Sequence, residues 1–257
     1  MAIVAVVGDT CTTTTVALAS AWPVSSEALI VEADPTGGDL AAWFDLPVLP
    51  SLSTVVTSAL DASWAEIDRH TRLAPSGMRL IPAPPSAAEA RHAVIQSARS
   101  LAPALAALAS PVAIVDAGRL EGGASFTHPL VTPAAVTVVV HHQRAQSARA
   151  AAVRLQRLAD DVETMSATPT GLVVAVVGAE PFDLEQIDAF VCSSAAGTPV
   201  VGLPIDSLAA AVYAGRAGVS ARRLARLPLA RAARHLAYVV ERAVDERVGA
   251  AGGRSTR

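Results

Sequence analysis

Residues Gly8–Leu18 read GDTCTTTTVAL. They follow the apolar run Ile3–Val7 and lead into an apolar, helix-like stretch. A glycine at a strand end, four variable positions and a hydroxyl-rich helix start is the spacing of a loop that wraps a phosphate. Backbone N–H groups at a helix start point outward and carry the positive end of its dipole. Threonine hydroxyls add donors, and one of them can reach a magnesium ion. The same spacing fits a plain turn in which Thr12 or Thr13 caps the helix. Asp9, inside the loop, repels phosphate and favours the turn. Spacing alone leaves the two readings balanced.

Outward from this stretch, apolar runs alternate with helical patterns. Strands are expected at Ile3–Val7, Ala28–Glu32, Met78–Pro82, Val112–Asp116, Ala135–Val140, Gly171–Val177 and Pro199–Leu203. Most are continuous Val/Ile runs, as strands covered on both faces read. Helices are expected at Thr14–Ala21, Ser86–Leu108, Ala145–Asp161, Phe182–Ser193 and Leu229–Val248, with Pro103 kinking or ending the second. The alternation predicts an α/β fold, a doubly wound and mostly parallel sheet with helices on both faces. No linker or repeat divides the 257 residues, so 1–248 is read as one domain and 249–257 as a disordered tail.

Composition narrows the classes. Hydrophobic residues make up 52% and aromatics 4%, so the core is Ala, Val and Leu. No apolar run approaches the roughly 18 residues of a membrane span, and the N-terminal run is too short for a secretory signal. Cys11 and Cys192 form no metal-ligand spacing or disulfide framework. The reducing cytoplasm is the expected compartment. Residues 1–200 hold 10 arginines against 19 acids, and residues 201–257 hold 10 arginines against 4. All 20 basic residues are therefore arginine, and the chain contains no lysine.

Ligands of an open parallel sheet sit beyond the carboxyl ends of its strands. Four stretches fall there: Gly8–Thr15, Glu32–Asp39, Asp116–Gly123 and Pro204–Asp206. In VEADPTGGDL, the carboxylates of Glu32, Asp34 and Asp39 could hold magnesium. Alternatively, Asp34-Pro35 opens a turn and Asp39 starts a helix. Asp116 ends a buried strand, where a magnesium-supporting carboxylate stands in phosphoryl-transfer proteins. His141 and His142 are adjacent on a strand and face opposite ways, which argues against a shared metal. Cys11 reads as a filler more readily than as a reactive thiol. Arg222, Arg223, Arg226, Arg231 and Arg234 form either a patch for DNA backbone or acidic lipid, or a solvated helix face.

Taken together, these loops resemble the ParA/MinD family of deviant P-loop ATPases, including its TadZ/CpaE-like branch. The resemblance covers nearly the whole chain. AIVAVVGDTCTTTTVALASAW is similar to the family's first strand, P-loop and helix, and ALIVEADPTGGDLAAWF to its switch I segment. VAIVDAGR stands at the end of its Walker B strand. AAVTVVVHHQRAQSARAAAVRLQRL resembles the strand and helix after switch II. GTPVVGLPIDSLAAAVYAGRAG resembles its P-x-D segment, with Pro204 and Asp206 in place, and LARLPLARAARHLAYVVER its closing helix. The lysine-less character resembles members from high-GC actinobacteria.

The resemblance implies a nucleotide site at Gly8, Asp9, Thr10, Cys11, Thr12, Thr13, Thr14, Thr15, Pro204 and Asp206. It places magnesium at Thr15, Asp34 and Asp116, and a catalytic role at Asp34. The implied ligands are ATP or ADP with magnesium, or none if the site has lost its competence. Aligned to the family pattern, Gly8 and Thr13 stand at the two glycines, Thr14 at the second lysine and Thr15 at the magnesium hydroxyl. The early lysine, which reaches across a dimer, falls near Asp9. An adenine-contacting Asn is also missing where the strand ends VVGAEP.

A charge-assisted hydrogen bond contributes roughly 1.5–3 kcal/mol. Losing two such lysines weakens binding by about 2–4 orders of magnitude, and hydrolysis by more. Arg119 is a candidate substitute. The expected role is a positioning or scaffold factor with weak or no hydrolysis, in septum placement, DNA partition, or Tad-type pilus or secretion assembly. A homodimer and a protein partner in such an apparatus are expected with it. The alternatives are an active ATPase with a modified loop, and a DNA-binding module using the arginine cluster.

Overall fold

The computed structural model describes residues 2–23, 27–58, 63–107, 111–119, 128–143 and 147–252. Eight strands among them form one sheet: β1 (Ile3–Gly8), β2 (Ala28–Glu32), β3 (Arg72–Leu73), β4 (Arg79–Ile81), β5 (Val112–Asp116), β6 (Val136–His142), β7 (Gly171–Val177) and β8 (Val200–Leu203). Their spatial order is β3-β4-β2-β5-β1-β6-β7-β8. Every pairing is parallel except β3 with β4, so the sheet is doubly wound and mostly parallel, as the sequence predicts.

β1 lies between β5 and β6, where the winding reverses. Its register sets Val6 beside Asp116 and Gly8 beside Val140. A crevice at the strand ends of such a switch point is where this topology places a ligand.

Helices cover both faces. α1 (Thr12–Ser20), α2 (Leu40–Trp43), α9 (Ser207–Tyr213), α10 (Ala221–Leu224) and α11 (Pro228–Gly252) pack on one side. α3 (Leu52–Ser58), α4 (Trp64–Arg69), α5 (Ala87–Ser97), α6 (Leu101–Ala107), α7 (Ala148–Ser166) and α8 (Leu184–Ser194) pack on the other. Residues of β1 alternate between the two cores: Ile3, Ala5 and Val7 join one, Val4 and Val6 the other. That double burial is why its sequence is an unbroken apolar run.

The seven expected strands are all present: β2, β5 and β7 keep the expected bounds, and β1, β4, β6 and β8 shift by one or two residues at an end. The short elements α2, α3, α4, β3, α9 and α10 carry too few residues for a visible period. The expected helix Ser86–Leu108 is two helices. α5 ends at Ser97, and Pro103 sits in the first turn of α6. No intrahelical bond needs the proline's missing N–H there, so Pro103 fits a helix start rather than a kink. The closing helix runs to Gly252, four residues into the stretch expected as a tail; residues 253–257 lie outside the described set. Residues 120–127, part of the expected Asp116–Gly123 segment, also lie outside it. No helix of the described residues is long and apolar enough to cross a membrane.

Candidate functional site

The loop after β1 is shaped by close approach. Gly8 has φ +131°, and a Cβ there would lie 2.3 Å from the carbonyl oxygen of Val140. Its N–H donates to the carbonyl of Gly118 (2.8 Å), tying the loop to the end of β5. Thr10 adopts a left-handed φ of 57°, a conformation that costs a non-glycine residue about 1–2 kcal/mol. Cys11 stands at the N-cap of α1, and no side chain caps that helix. The expected Thr12 or Thr13 cap is therefore absent. The outward N–H groups of the first turn remain open to an external acceptor.

The side chains beneath the loop are engaged with one another. The Cys11 thiol donates to Asp116 Oδ1 (2.9 Å). The Thr15 hydroxyl, fully buried, donates back to the Cys11 carbonyl (3.2 Å). Burial pushes the Asp116 carboxyl up, opposed first by the hydrogen bond from Cys11. Burial also pushes the Cys11 thiol up, with Asp116 adding to it, which disfavours the thiolate that reactivity needs. Asp116 Oδ2 is buried without a partner. Above it, Asp34 Oδ1 accepts from the Thr36 N–H and hydroxyl, both at 2.7 Å. A Cβ on Gly118 would lie 2.3 Å from the Asp34 carboxyl carbon. Asp34 and Asp116 are thus brought together with Gly8–Thr15, as expected.

Glu32 is spent on backbone donors and is not open to a metal in this arrangement. Glu32 Oε1 accepts from the N–H groups of Asp39 (2.7 Å) and Leu40 (2.9 Å), and Oε2 from Ala83 (2.8 Å). Desolvation pushes its carboxyl up to about 7, with the three N–H groups holding it below where burial alone would put it. Asp39 opens α2 from the N-cap position. The turn-and-helix alternative accounts for Asp39; it does not include Glu32, whose partners are backbone N–H groups.

Asp9 lies against Arg119, with Oδ1 and Nε 3.3 Å apart, both well exposed. Arg119 therefore neutralises the loop's own carboxylate. Pro204 and Asp206 lie across a cavity of about 430 Å³ from the loop. Thr10, Thr13 and Thr14 line one wall; His142, Val177, Pro204, Ile205 and Arg216 line the rest. Asp206 caps α9 through Ala209 N–H (3.0 Å), and its other oxygen accepts from Leu229 N–H at 3.4 Å. That use explains why the segment carries an aspartate there.

His141 is buried and His142 half-buried on consecutive positions of β6. Desolvation lowers His141 to about 4, so it is neutral at pH 7. The described residues contain no group of three or more His, Cys, Asp or Glu able to hold a metal. The five arginines of the C-terminal part are exposed on α10, α11 and the turn between them, and none of them lines the cavity. Arg234 donates to the Ala225 carbonyl at 2.8 Å.

Two residues escaped the sequence reading. Gln143 ties the turn after β7 by bonds to the Gly178 and Phe182 carbonyls and from the Phe182 N–H. This is the turn, VVGAEP, in which the sequence carries no asparagine. Arg216 lines the cavity, and nothing in AVYAGRAG distinguishes it from a surface arginine.

No protein-family model matches the chain, and no curated protein does. Solved structures do. The ParA family ATPase from Chlorobium tepidum TLS aligns at a TM-score of 0.68 and 15% identity, over 92% of this chain and 97% of that one. The MinC:MinD cell division protein complex of Aquifex aeolicus aligns at 0.61 and 13%, over 94% and 96%. The complex of a Cyanothece McdA variant with ATP aligns at 0.61 and 16%, over 97% and 96%. At these identities the likeness establishes architecture, and the chain has the fold of the ParA/MinD-type P-loop ATPases.

Proposed function

We propose that this chain is a degenerate ParA/MinD-like protein. It acts as a positioning or scaffold factor that binds adenine nucleotide weakly and hydrolyses it slowly or not at all. The observation that carries the reading is the uncapped first turn of α1, set on a 430 Å³ cavity shared with Pro204 and Asp206, in a chain without lysine. The open N–H groups and threonine hydroxyls suit a phosphate. The cavity is large enough for a small-molecule ligand. Nothing on the loop supplies the positive charge that a transferring phosphoryl group needs. Arg119, the cation beside the loop's own carboxylate, is taken by Asp9.

The residues fit a nucleotide better than a magnesium ion. When bound, magnesium would neutralise phosphate charge and orient it. Thr15 and Asp116 are the groups that would hold it, and both are engaged within the loop. Function then rests on the bound state and its partner contacts. A homodimer, and a cytoplasmic partner in a septum, partition, or Tad-type pilus or secretion apparatus, fit that role. The structural likeness to ParA, MinD and McdA supports it. Without a cross-dimer lysine, dimerisation depends less on nucleotide.

Phosphate release at saturating ATP and magnesium tests the reading. Turnover far below about 1 s⁻¹, the low end of ordinary enzymes, is expected beside measurable ATP binding. Ordinary turnover, abolished by Thr15→Ala, would establish the active-ATPase alternative instead. A second reading has its own observation: five exposed arginines at one end of the chain. Affinity for DNA that falls steeply between low and high salt would support it.

A further inference from the structure

The cavity beside the loop has an unusual charge inventory. Among the described residues that line it, Arg216 carries the one permanent positive charge, and it makes no ion pair with any described residue. Asp206, the carboxylate on the same wall, is committed to the Ala209 and Leu229 N–H groups. Arg216 is also placed with some care. Its N–H donates to the Ala211 carbonyl at 2.8 Å. The preceding Gly215 has φ +69°, and a Cβ there would lie 2.4 Å from the Trp43 carbonyl oxygen. Backbone packing therefore fixes the chain at Arg216, an exposed residue on the cavity that Thr10, Thr13 and Thr14 also line.

The groups that would support a metal ion are already used. Thr15 Oγ1 donates to the Cys11 carbonyl, and Asp116 Oδ1 accepts from the Cys11 thiol. Asp116 Oδ2 has no solvent-accessible surface. Asp34 Oδ1 closes its turn onto Thr36. A cation bound here would share oxygens that already carry these contacts, with Asp116 Oδ2 sealed from solvent. A guanidinium uses none of them, and its planar fork suits two phosphate oxygens at once.

We propose that this chain holds the phosphates of its nucleotide through Arg216 and without magnesium. The inference rests on the loop being a nucleotide site, and adds which cation serves it. Calorimetric titration of the full chain with ADP, in EDTA and in magnesium, tests it alongside Arg216→Ala, Arg216→Lys and an adenosine control. The expected result is an ADP affinity that changes less than about threefold between EDTA and magnesium. It should fall about 10–100-fold in Arg216→Ala, the range of one charge-assisted contact. Arg216→Lys should recover part of the loss, and adenosine should bind both variants as it binds the wild type. Two results overturn the proposal while leaving the nucleotide site intact: magnesium tightening ADP tenfold or more, or Arg216→Ala binding ADP as the wild type does. A wild-type chain that binds neither ADP nor ATP in either buffer overturns the nucleotide site itself, and this proposal with it.

Discussion

Two carboxylates stand side by side in the sheet, Glu32 at the end of β2 and Asp116 at the end of β5, in direct register. Both are almost fully buried, at 2% and 0% exposure. Their surroundings differ. Glu32 receives three backbone N–H bonds and holds two loops to the strand end. Asp116 receives a thiol at 2.9 Å, a contact from the Thr12 side chain and a weak N–H contact from Gly118 at 3.4 Å, and its Oδ2 has no hydrogen bond of good geometry. Burial alone does not separate a structural carboxylate from a site carboxylate. The completeness of the donor set does, because an unmade bond in a dry interior is costly and persists only where something else holds it in place.

That contrast can be broken experimentally. The largest effect is expected at Glu32→Gln, whose amide NH₂ would face backbone donors. A loss of about 2–4 kcal/mol in urea unfolding is expected, from the lost acceptor and the unpaired N–H left behind. Asp116→Asn keeps an acceptor for Cys11 and should cost less than about 1 kcal/mol. Equal losses from the two substitutions would end the distinction.

Glu32 also predicts a pH dependence. Its folded value of about 7 lies above the ordinary 4.5. Its contribution is therefore fully present below about 4.5 and is lost as pH rises through 7, an amount on the order of 3 kcal/mol. His141 works from the acid side: its value is lowered from 6.5 to about 4. Its contribution is present above 6.5 and is lost as pH falls through 4. Unfolding of wild type and Glu32→Gln from pH 5 to 8 isolates the first. A slope that survives in Glu32→Gln would assign it elsewhere.

The smallest effect sharpens the site side of the comparison. Arg119→Ala breaks an exposed pair and should change stability by no more than about 0.5 kcal/mol. It frees Asp9, so ATP affinity should fall through restored repulsion. Unchanged affinity would remove Arg119 from the account of the loop.

Much of this was legible in the residues. Continuous Val/Ile runs are what a doubly covered strand demands, so all seven expected strands were found. Gly8, Asp34 and Asp116 came together because parallel strands deliver their ends to one edge. The role of Glu32 was not legible, because its partners are backbone groups at Asp39, Leu40 and Ala83, which carry no side-chain signature. The thiol bond from Cys11 to Asp116 spans 105 residues and has no local pattern.

The sequence by itself determined the layer architecture, the position of the loop and the absence of lysine, since periodicity and composition are local properties. Only the tertiary structure decided which polar groups are spent and which are open. Asp116 and Thr15 are turned onto Cys11, Arg119 onto Asp9, and Arg216 lines an open cavity. The physical reason is that hydrogen bonding and desolvation depend on which atoms meet across the sheet edge, and the order of residues along the chain does not state that.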